Sequence, residues 1–306
     1  MKILHIGCCA KGYPLNGLQK ALIKIGEYGE IYSGHSDLNN LIKQKSDSFK
    51  PDIVFMQIQG AGILSEEAVI YLKNNGAFVI NWSGDVREPV PQWYYDIGKH
   101  IDITSFTNMN DVDTMRAAGL KSEYIDIGYD PEVYTPKGEK TNCQPIVFMA
   151  NSYDQFPLSE FRKEIVIFLK SNYGNEFGIY GSGWANADGS YMPSQEAEAM
   201  AYRSCKIAIN CSNFEYRRYS SDRLLRILGT GVFCLCKWFP EIEKDYIDGK
   251  HLVVWHDLNE LKEKIDYYLA HDFKRKLIAK AGNELVLKTR TYDVMVKNIR
   301  KIIKCK

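Results

Sequence analysis

The chain has almost no excess of either charge: 39 Lys and Arg stand against 38 Asp and Glu, a formal net charge of +1 over 306 residues. That removes any global attraction for nucleic acid, so contact with a polyanion must come from a local patch. It has no C-x-x-C pair, and its eight cysteines (8, 9, 143, 205, 211, 234, 236 and 305) lack neighbouring histidines to complete a zinc set. Several lie in apolar runs such as VFCLC, where a thiol behaves as a small hydrophobe, a usage that suits a reducing, cytoplasmic setting. No window approaches the ~20 apolar residues of a membrane-spanning helix. The opening MKILHIGCCAKGYP lacks the long apolar run of a signal peptide and reads as a buried strand entering a turn. G-x-G-x-x-G is also missing, which argues against a dinucleotide-dependent oxidoreductase.

What is present is enough apolar material for packed cores, at 45% hydrophobic and 25% charged residues, in a length that suits two domains. In the first half KILHIG, DIVFMQI, AFVINWS, DITSFT and SEYIDIG read as strands. NGLQKALIKIG, SEEAVIYLKNNG and NDVDTMRAAG read as helices between them. The pattern lapses into Pro, Gly, Lys and Asn through DPEVYTPKGEKTNCQP and then restarts from PIVFMA, giving a first domain at 1–136, a linker at 137–145 and a second domain at 146–290. The βαβ rhythm predicts an α/β fold of two Rossmann-like, doubly wound domains facing across a cleft, with ligands at the carboxyl ends of the strands.

The segment EYRRYSSDRLLRILGTGVFCL places Arg217, Arg218, Arg223 and Arg226 around one helix start. Such crowding requires anions, either the chain's own carboxylates, such as Glu215 and Asp222, or a ligand. Ser220 and Ser221 are candidates for the helix cap, and Asp222 suits the dipole. Arg223 falls on the first turn, where unpaired N–H groups favour an anion; a diphosphate there would neutralise Arg223 and one of Arg217 or Arg218.

From Tyr219 onward the chain resembles the carboxyl-terminal domain of the CgeB-like glycosyltransferases, a GT-B group with spore-maturation and phage-encoded members. The likeness runs through Ser221, Arg223, Gly231, Pro240, Glu243, Gly249, Lys250, Glu260, Leu261, Tyr267, Tyr268, Leu269, Gly282, Thr291 and Tyr292. IYGSGW, YRSCKIAIN and, more weakly, NWSGDVR extend it. It implies a GT-B hexosyltransferase whose second domain holds a nucleotide-sugar donor, most simply a UDP-sugar, while the first holds the acceptor. No divalent metal is obligatory in that picture, because protein cations offset the leaving diphosphate. The tail 291–306 would then form a helix crossing back to the first domain. In a large related group of retaining enzymes two glutamates contact the donor; Arg218 and Arg226 occupy those positions here, so either another carboxylate such as Glu243 contacts the ribose or Arg226 serves the phosphates.

On the acceptor side Asp85, following a strand end through Gly84, is the candidate base for the acceptor hydroxyl, with Arg87 and Glu88 beside it. Its alternative is a structural turn. Gly7 and Gly12 would admit an acceptor close to the backbone or simply form a turn. On the donor side Asn151, Ser152 and Tyr153 follow the first strand of the second domain. Gly181 and the second glycine of YGSGW would let a nucleotide approach, and Trp184 would stack on a base or fill the core. Asp111 and Asp113 have a D-x-D spacing, yet they open a helix and read as N-terminal capping. His251 and His256 fit no metal pattern, and Tyr267 with Tyr268 reads as packing. The acceptor hydroxyl could belong to a glycan, a protein, a small molecule or a hydroxymethylated base of phage-type DNA. The competing reading is a non-catalytic nucleotide-sugar or glycan-binding protein of the same fold.

Overall fold

The fold was obtained as a computed structural model that describes residues 1–7, 16–185 and 194–304. The chain divides into two compact units, Met1–Gly128 together with Tyr292–Lys306, and Tyr129–Thr291. The division precedes the expected boundary at 136: residues 129–145 belong with the second unit. Tyr129 is tied there by its N–H, which donates to the Arg290 carbonyl at 3.1 Å.

The first unit runs β1 (Lys2–Gly7), α1 (Asn16–Ile23), β2 (Glu27–Tyr32), α2 (Leu38–Phe49), β3 (Ile53–Met56), α3 (Glu66–Asn74), β4 (Phe78–Ser83), α4 (Gln92–Gly98), β5 (Ile103–Phe106), α5 (Met109–Ala117) and β6 (Ser122–Tyr124). Its strands form one parallel sheet in the order β2-β1-β3-β4-β5-β6. Runs such as IVFM in β3 are buried throughout because helices cover both faces of a parallel sheet. The order reverses between β1 and β3, which makes their carboxyl ends the ligand-binding crevice of such a sheet. β2, α2 and α4 are elements that periodicity did not single out.

The second unit runs β7 (Ile146–Met149), α6 (Ser159–Tyr173), β8 (Phe177–Tyr180), α7 (Gln195–Ser204), β9 (Ile207–Asn210), α8 (Asp222–Gly229), β10 (Phe233–Lys237), β11 (Val253–Trp255), α9 (Leu258–Ala270) and α10 (Asp272–Thr289). The parallel order β11-β10-β9-β7-β8 reverses between β7 and β9. Phe148, Phe177, Phe233 and Trp255 fill the core under α6, α9 and α10. Each such burial contributes about 1.5–3 kcal/mol.

α11 (Tyr292–Lys304) returns to the first unit. Tyr292, Met295, Val296 and Ile299 recur at helical spacing and pack against Leu18, Ala21 and Leu22 of α1. Among the described residues no helix is long and apolar enough to cross a membrane.

Candidate functional site

At the β7/β9 crevice of the second unit stand two arginines with no carboxylate partner among the described residues. Arg223, in the first turn of α8, reaches back across the crevice. Its Nε donates to the Met149 carbonyl at the end of β7 (2.7 Å), and its Nη1 donates to the Cys211 carbonyl (3.0 Å) and to Asn210 Oδ1 (3.4 Å) at the end of β9. Its other terminal nitrogen has no hydrogen-bond partner among the described residues.

Arg162, in the first turn of α6, is only 1% exposed. It donates to the Asn151 carbonyl (2.9 Å) and to the Asn213 side chain, and its buried Nε has no partner. The two guanidinium carbons lie 5.5 and 5.4 Å from the centroid of the Phe148 ring. Burial, and then the charge of Arg223, pull the Arg162 guanidinium down to about 10. A buried cation costs several kcal/mol unless an anion or a full set of hydrogen bonds compensates it. Here two cations lie near the same ring with only neutral hydrogen-bond acceptors around them.

Ser221 adds a third group. It occupies the N-cap position of α8, but its hydroxyl makes no capping bond and is buried without a partner, while its N–H donates to Ser212 Oγ at 3.0 Å. The expected serine cap is therefore absent, and a hydroxyl with hydrogen-bonding capacity remains at a helix N-terminus that favours anions.

In the first unit Asp85 leaves the carboxyl end of β4 with its side chain 70% exposed, 3.6 Å from Arg87. The loop beneath it is clamped. Thr107 Oγ1 donates to the Gly84 carbonyl (3.1 Å), Ser83 Oγ to the Asp85 carbonyl (3.1 Å), and the Arg87 N–H to Asp111 Oδ2 (2.9 Å). The Arg87 guanidinium donates to Tyr94 Oη (3.1 Å) and Gln59 Oε1 (2.5 Å), which makes it a support of this loop.

The cap of α5 is Asn108, whose Oδ1 accepts from the Asp111 N–H at 2.8 Å, so Asp111 sits inside the helix it was expected to cap. Among the described residues no cluster of three His, Cys, Asp or Glu side chains could hold a metal ion. Gly7 is needed for internal reasons: a Cβ there would lie 2.7 Å from Gln57 Oε1. Gly12 lies outside the described residues.

Residues 162–301 match the model of a family described as glycosyl transferase-like. No curated protein matches the chain. Among solved structures, Anabaena Alr3699/HepE in complex with UDP is similar at 10% identity and a TM-score of 0.69, over 100% of both chains. A glycosyltransferase from Rickettsia africae aligns at 12% identity and 0.71, over 99% of this chain and 97% of that one. Sucrose-phosphate synthase of Thermosynechococcus elongatus aligns at 11% and 0.65, over 99% and 98%. The fold is GT-B.

Within this GT-B fold most of the arginine cluster is neutralised by the chain itself. Arg217 donates twice to Glu241 Oε1 (2.9 and 2.8 Å). Arg218 forms a two-pronged pair with Asp245 (2.9 and 2.7 Å), which also accepts from Arg290. Arg226 is held by Glu198 (3.0 Å) and Asp222, over the Tyr134 ring. Arg217, Arg218 and Arg226, expected at the phosphates, are thus each ion-paired within the chain. Of the two carboxylates expected to pair with them, Asp222 holds Arg226, whereas Glu215 pairs with Lys237 at 2.7 Å. Glu243 is exposed on a one-turn 3-10 helix, Ile242–Lys244, and among the described residues joins no part of the cluster.

The loops after β7 and β8 clasp one another. Ser152 N–H donates to the Ser182 carbonyl (2.8 Å), Ser182 N–H to Asn151 Oδ1 (3.0 Å), and Trp184 Nε1 to the Ala150 carbonyl. Gly181, at φ +137°, permits this approach, since a Cβ would lie 2.1 Å from the Ala150 carbonyl oxygen. Gly181 and Asn151 therefore serve the clasp, and Trp184 packs on Phe148 with 6.2 Å between ring centroids. Tyr153 stays 38% exposed beside Phe156. His256 lies on the surface against Glu260 (3.0 Å), the His251 ring accepts from the Ile247 N–H, and Tyr268 packs on Phe233.

Proposed function

We propose that this chain is a glycosyltransferase that takes a sugar, a hexose in the simplest case, from a uridine diphosphate donor held by its second unit and passes it to an acceptor hydroxyl. The observation that carries the reading is the Arg162 and Arg223 pair at the β7/β9 crevice. A diphosphate supplies the anion those guanidiniums lack, and the buried Ser221 hydroxyl and the α8 N-terminus supply further donors to its oxygens. The glycosyl transferase-like match over 162–301 supports this assignment, as does the likeness to a structure solved with UDP. The narrower CgeB-like identity rests on the spaced motifs of the sequence.

Sugar transfer breaks the bond between the anomeric carbon and the diphosphate oxygen, so negative charge grows on the leaving group. Fixed guanidiniums bind that charge more strongly in the transition state than in the ground state, and this difference is what lowers the barrier. Arg162 and Arg223 perform the neutralisation without a metal ion in this proposal. Asp85 takes the proton of the acceptor hydroxyl as it attacks the anomeric carbon.

The test is release of UDP from UDP-sugars, with water or an added acceptor as the nucleophile, by wild type and Asp85→Asn. The substitution should lower kcat by about 10²–10⁴-fold while UDP still raises the melting midpoint. Unchanged turnover in Asp85→Asn would remove Asp85 from the chemistry, and absence of any nucleotide binding by wild type would remove the donor assignment.

A further inference from the structure

We infer that Asp111 is a positioning residue for the Asp85 loop; the inference rests on the proposed role of Asp85 as the base. Asp111 is 2% exposed, at the start of α5. Its Oδ2 accepts from the Arg87 N–H (2.9 Å) and from Asn108 Nδ2 (2.8 Å). No Lys or Arg side chain forms a salt bridge with it among the described residues.

A carboxylate is a costly choice for such a place. Burial pushes Asp111 up to about 6, and the bonds from Asn108 and Arg87 only partly offset that. A neutral residue would cap α5 without the penalty, and Asn108 already caps it. What the carboxylate adds is an anionic acceptor for one particular N–H, that of Arg87, in the loop bearing Asp85.

Loop and helix meet at several points. Thr107, just ahead of α5, holds the Gly84 carbonyl, and Asp111 holds the Arg87 N–H, so the turn carrying Asp85 is fixed on both sides. Arg87 in turn stands 3.6 Å from the Asp85 carboxylate. An exposed side chain on a fixed backbone is the arrangement a base requires, because misplacement of about 1 Å can cost on the order of 100-fold in rate. A plain surface turn needs no buried anion beneath it.

The charged groups facing Asp111 are Arg87 and Glu88 from the β4 loop, of which Arg87 favours its ionised form and Glu88 opposes it. As pH falls through about 6, Asp111 takes up a proton and its hold on the Arg87 N–H weakens. Turnover should therefore carry an acid limb near that pH.

The experiment measures UDP release from UDP-glucose, UDP-galactose and UDP-N-acetylglucosamine between pH 5 and 8 by wild type, Asp85→Asn, Asp111→Ala and Asp111→Asn, with thermal melts of each. Asp111→Ala should lower kcat by roughly 10- to 100-fold with the donor KM unchanged. Asp111→Asn keeps an acceptor oxygen and should recover most of kcat at pH 7.5 while losing the limb near pH 6. Wild-type kcat and pH profile in both Asp111 variants, beside a crippled Asp85→Asn, would overturn the positioning role and leave the base assignment standing. Full activity in Asp85→Asn, or no turnover of any donor by wild type, would overturn the base assignment and this inference with it. If Asp111→Ala does not fold, the pH profile of Asp111→Asn decides: persistence of the limb refutes the inference.

Discussion

Replacing Arg223 by alanine removes one of two cations at the β7/β9 crevice and the contacts that span it. A hydrogen bond from a charged donor contributes about 1.5–3 kcal/mol, so the dissociation constant of UDP should rise roughly 10- to 150-fold. With UDP at about 100 times the wild-type constant, binding stabilises wild type by about 2.7 kcal/mol. The same concentration stabilises the variant by only about 0.3–1.4 kcal/mol. For a unit of this size about 2–4 °C accompanies each kcal/mol, giving a shift of about 5–10 °C for wild type and about 1–5 °C for the variant. Arg223 also holds the Met149 and Cys211 carbonyls, so its loss lowers the baseline midpoint. Reading each protein with and without UDP cancels that loss. Arg162→Met should show a comparable loss, since its charge faces the same site. Equal UDP shifts in wild type and Arg223→Ala would refute the claim that the uncompensated guanidiniums are there for a diphosphate.

Arg226→Ala strands the largely buried Glu198 without its cation and should cost about 3 kcal/mol in urea unfolding, the lower end of the range for a broken buried pair. Its UDP shift should persist, and loss of that shift would return Arg226 to the donor site. Gly181→Ala drives a Cβ against the Ala150 carbonyl oxygen at a backbone angle that side chains rarely adopt, so destabilisation of roughly 3 kcal/mol or more is expected from denaturant melts. Wild-type stability there would mean that the two loops are not clasped through this residue.

The alternation of apolar runs and amphipathic segments made most of the fold legible, because parallel strands buried on both faces read as continuous stretches such as IVFM and IAIN. β2 escaped notice for the opposite reason. EYGEIY lies at the sheet edge with its residues alternating between exposed and buried, so glutamates and a glycine interrupt the apolar signal. At the site Arg223 was legible from its place in the first turn of α8. Arg162 was not, because an arginine in SEFRKEIVIFLKSNYG passes for a solvated residue. The signal was its spacing from Ile165 and Leu169, which puts it on the buried stripe of α6. The pair of Arg226 with Asp222 was legible from their i,i+4 spacing, but the pairs with Glu241, Asp245 and Glu198 were beyond reach, since these partners lie 24, 27 and 28 residues away and only the fold brings them together.

The return of α11 to the first unit carries a consequence for synthesis. The second unit is one uninterrupted stretch, Tyr129–Thr291, and can close its core as soon as α10 has left the ribosome. The first unit begins earlier yet finishes later, since Tyr292, Met295, Val296 and Ile299 are part of the core over α1 and are made after the whole of the second unit. Until they arrive, the part of that core which α11 covers stays open. The usual amino-to-carboxyl order of domain completion is inverted, and during translation the half bearing Asp85 is the one exposed to chaperones and to mispairing.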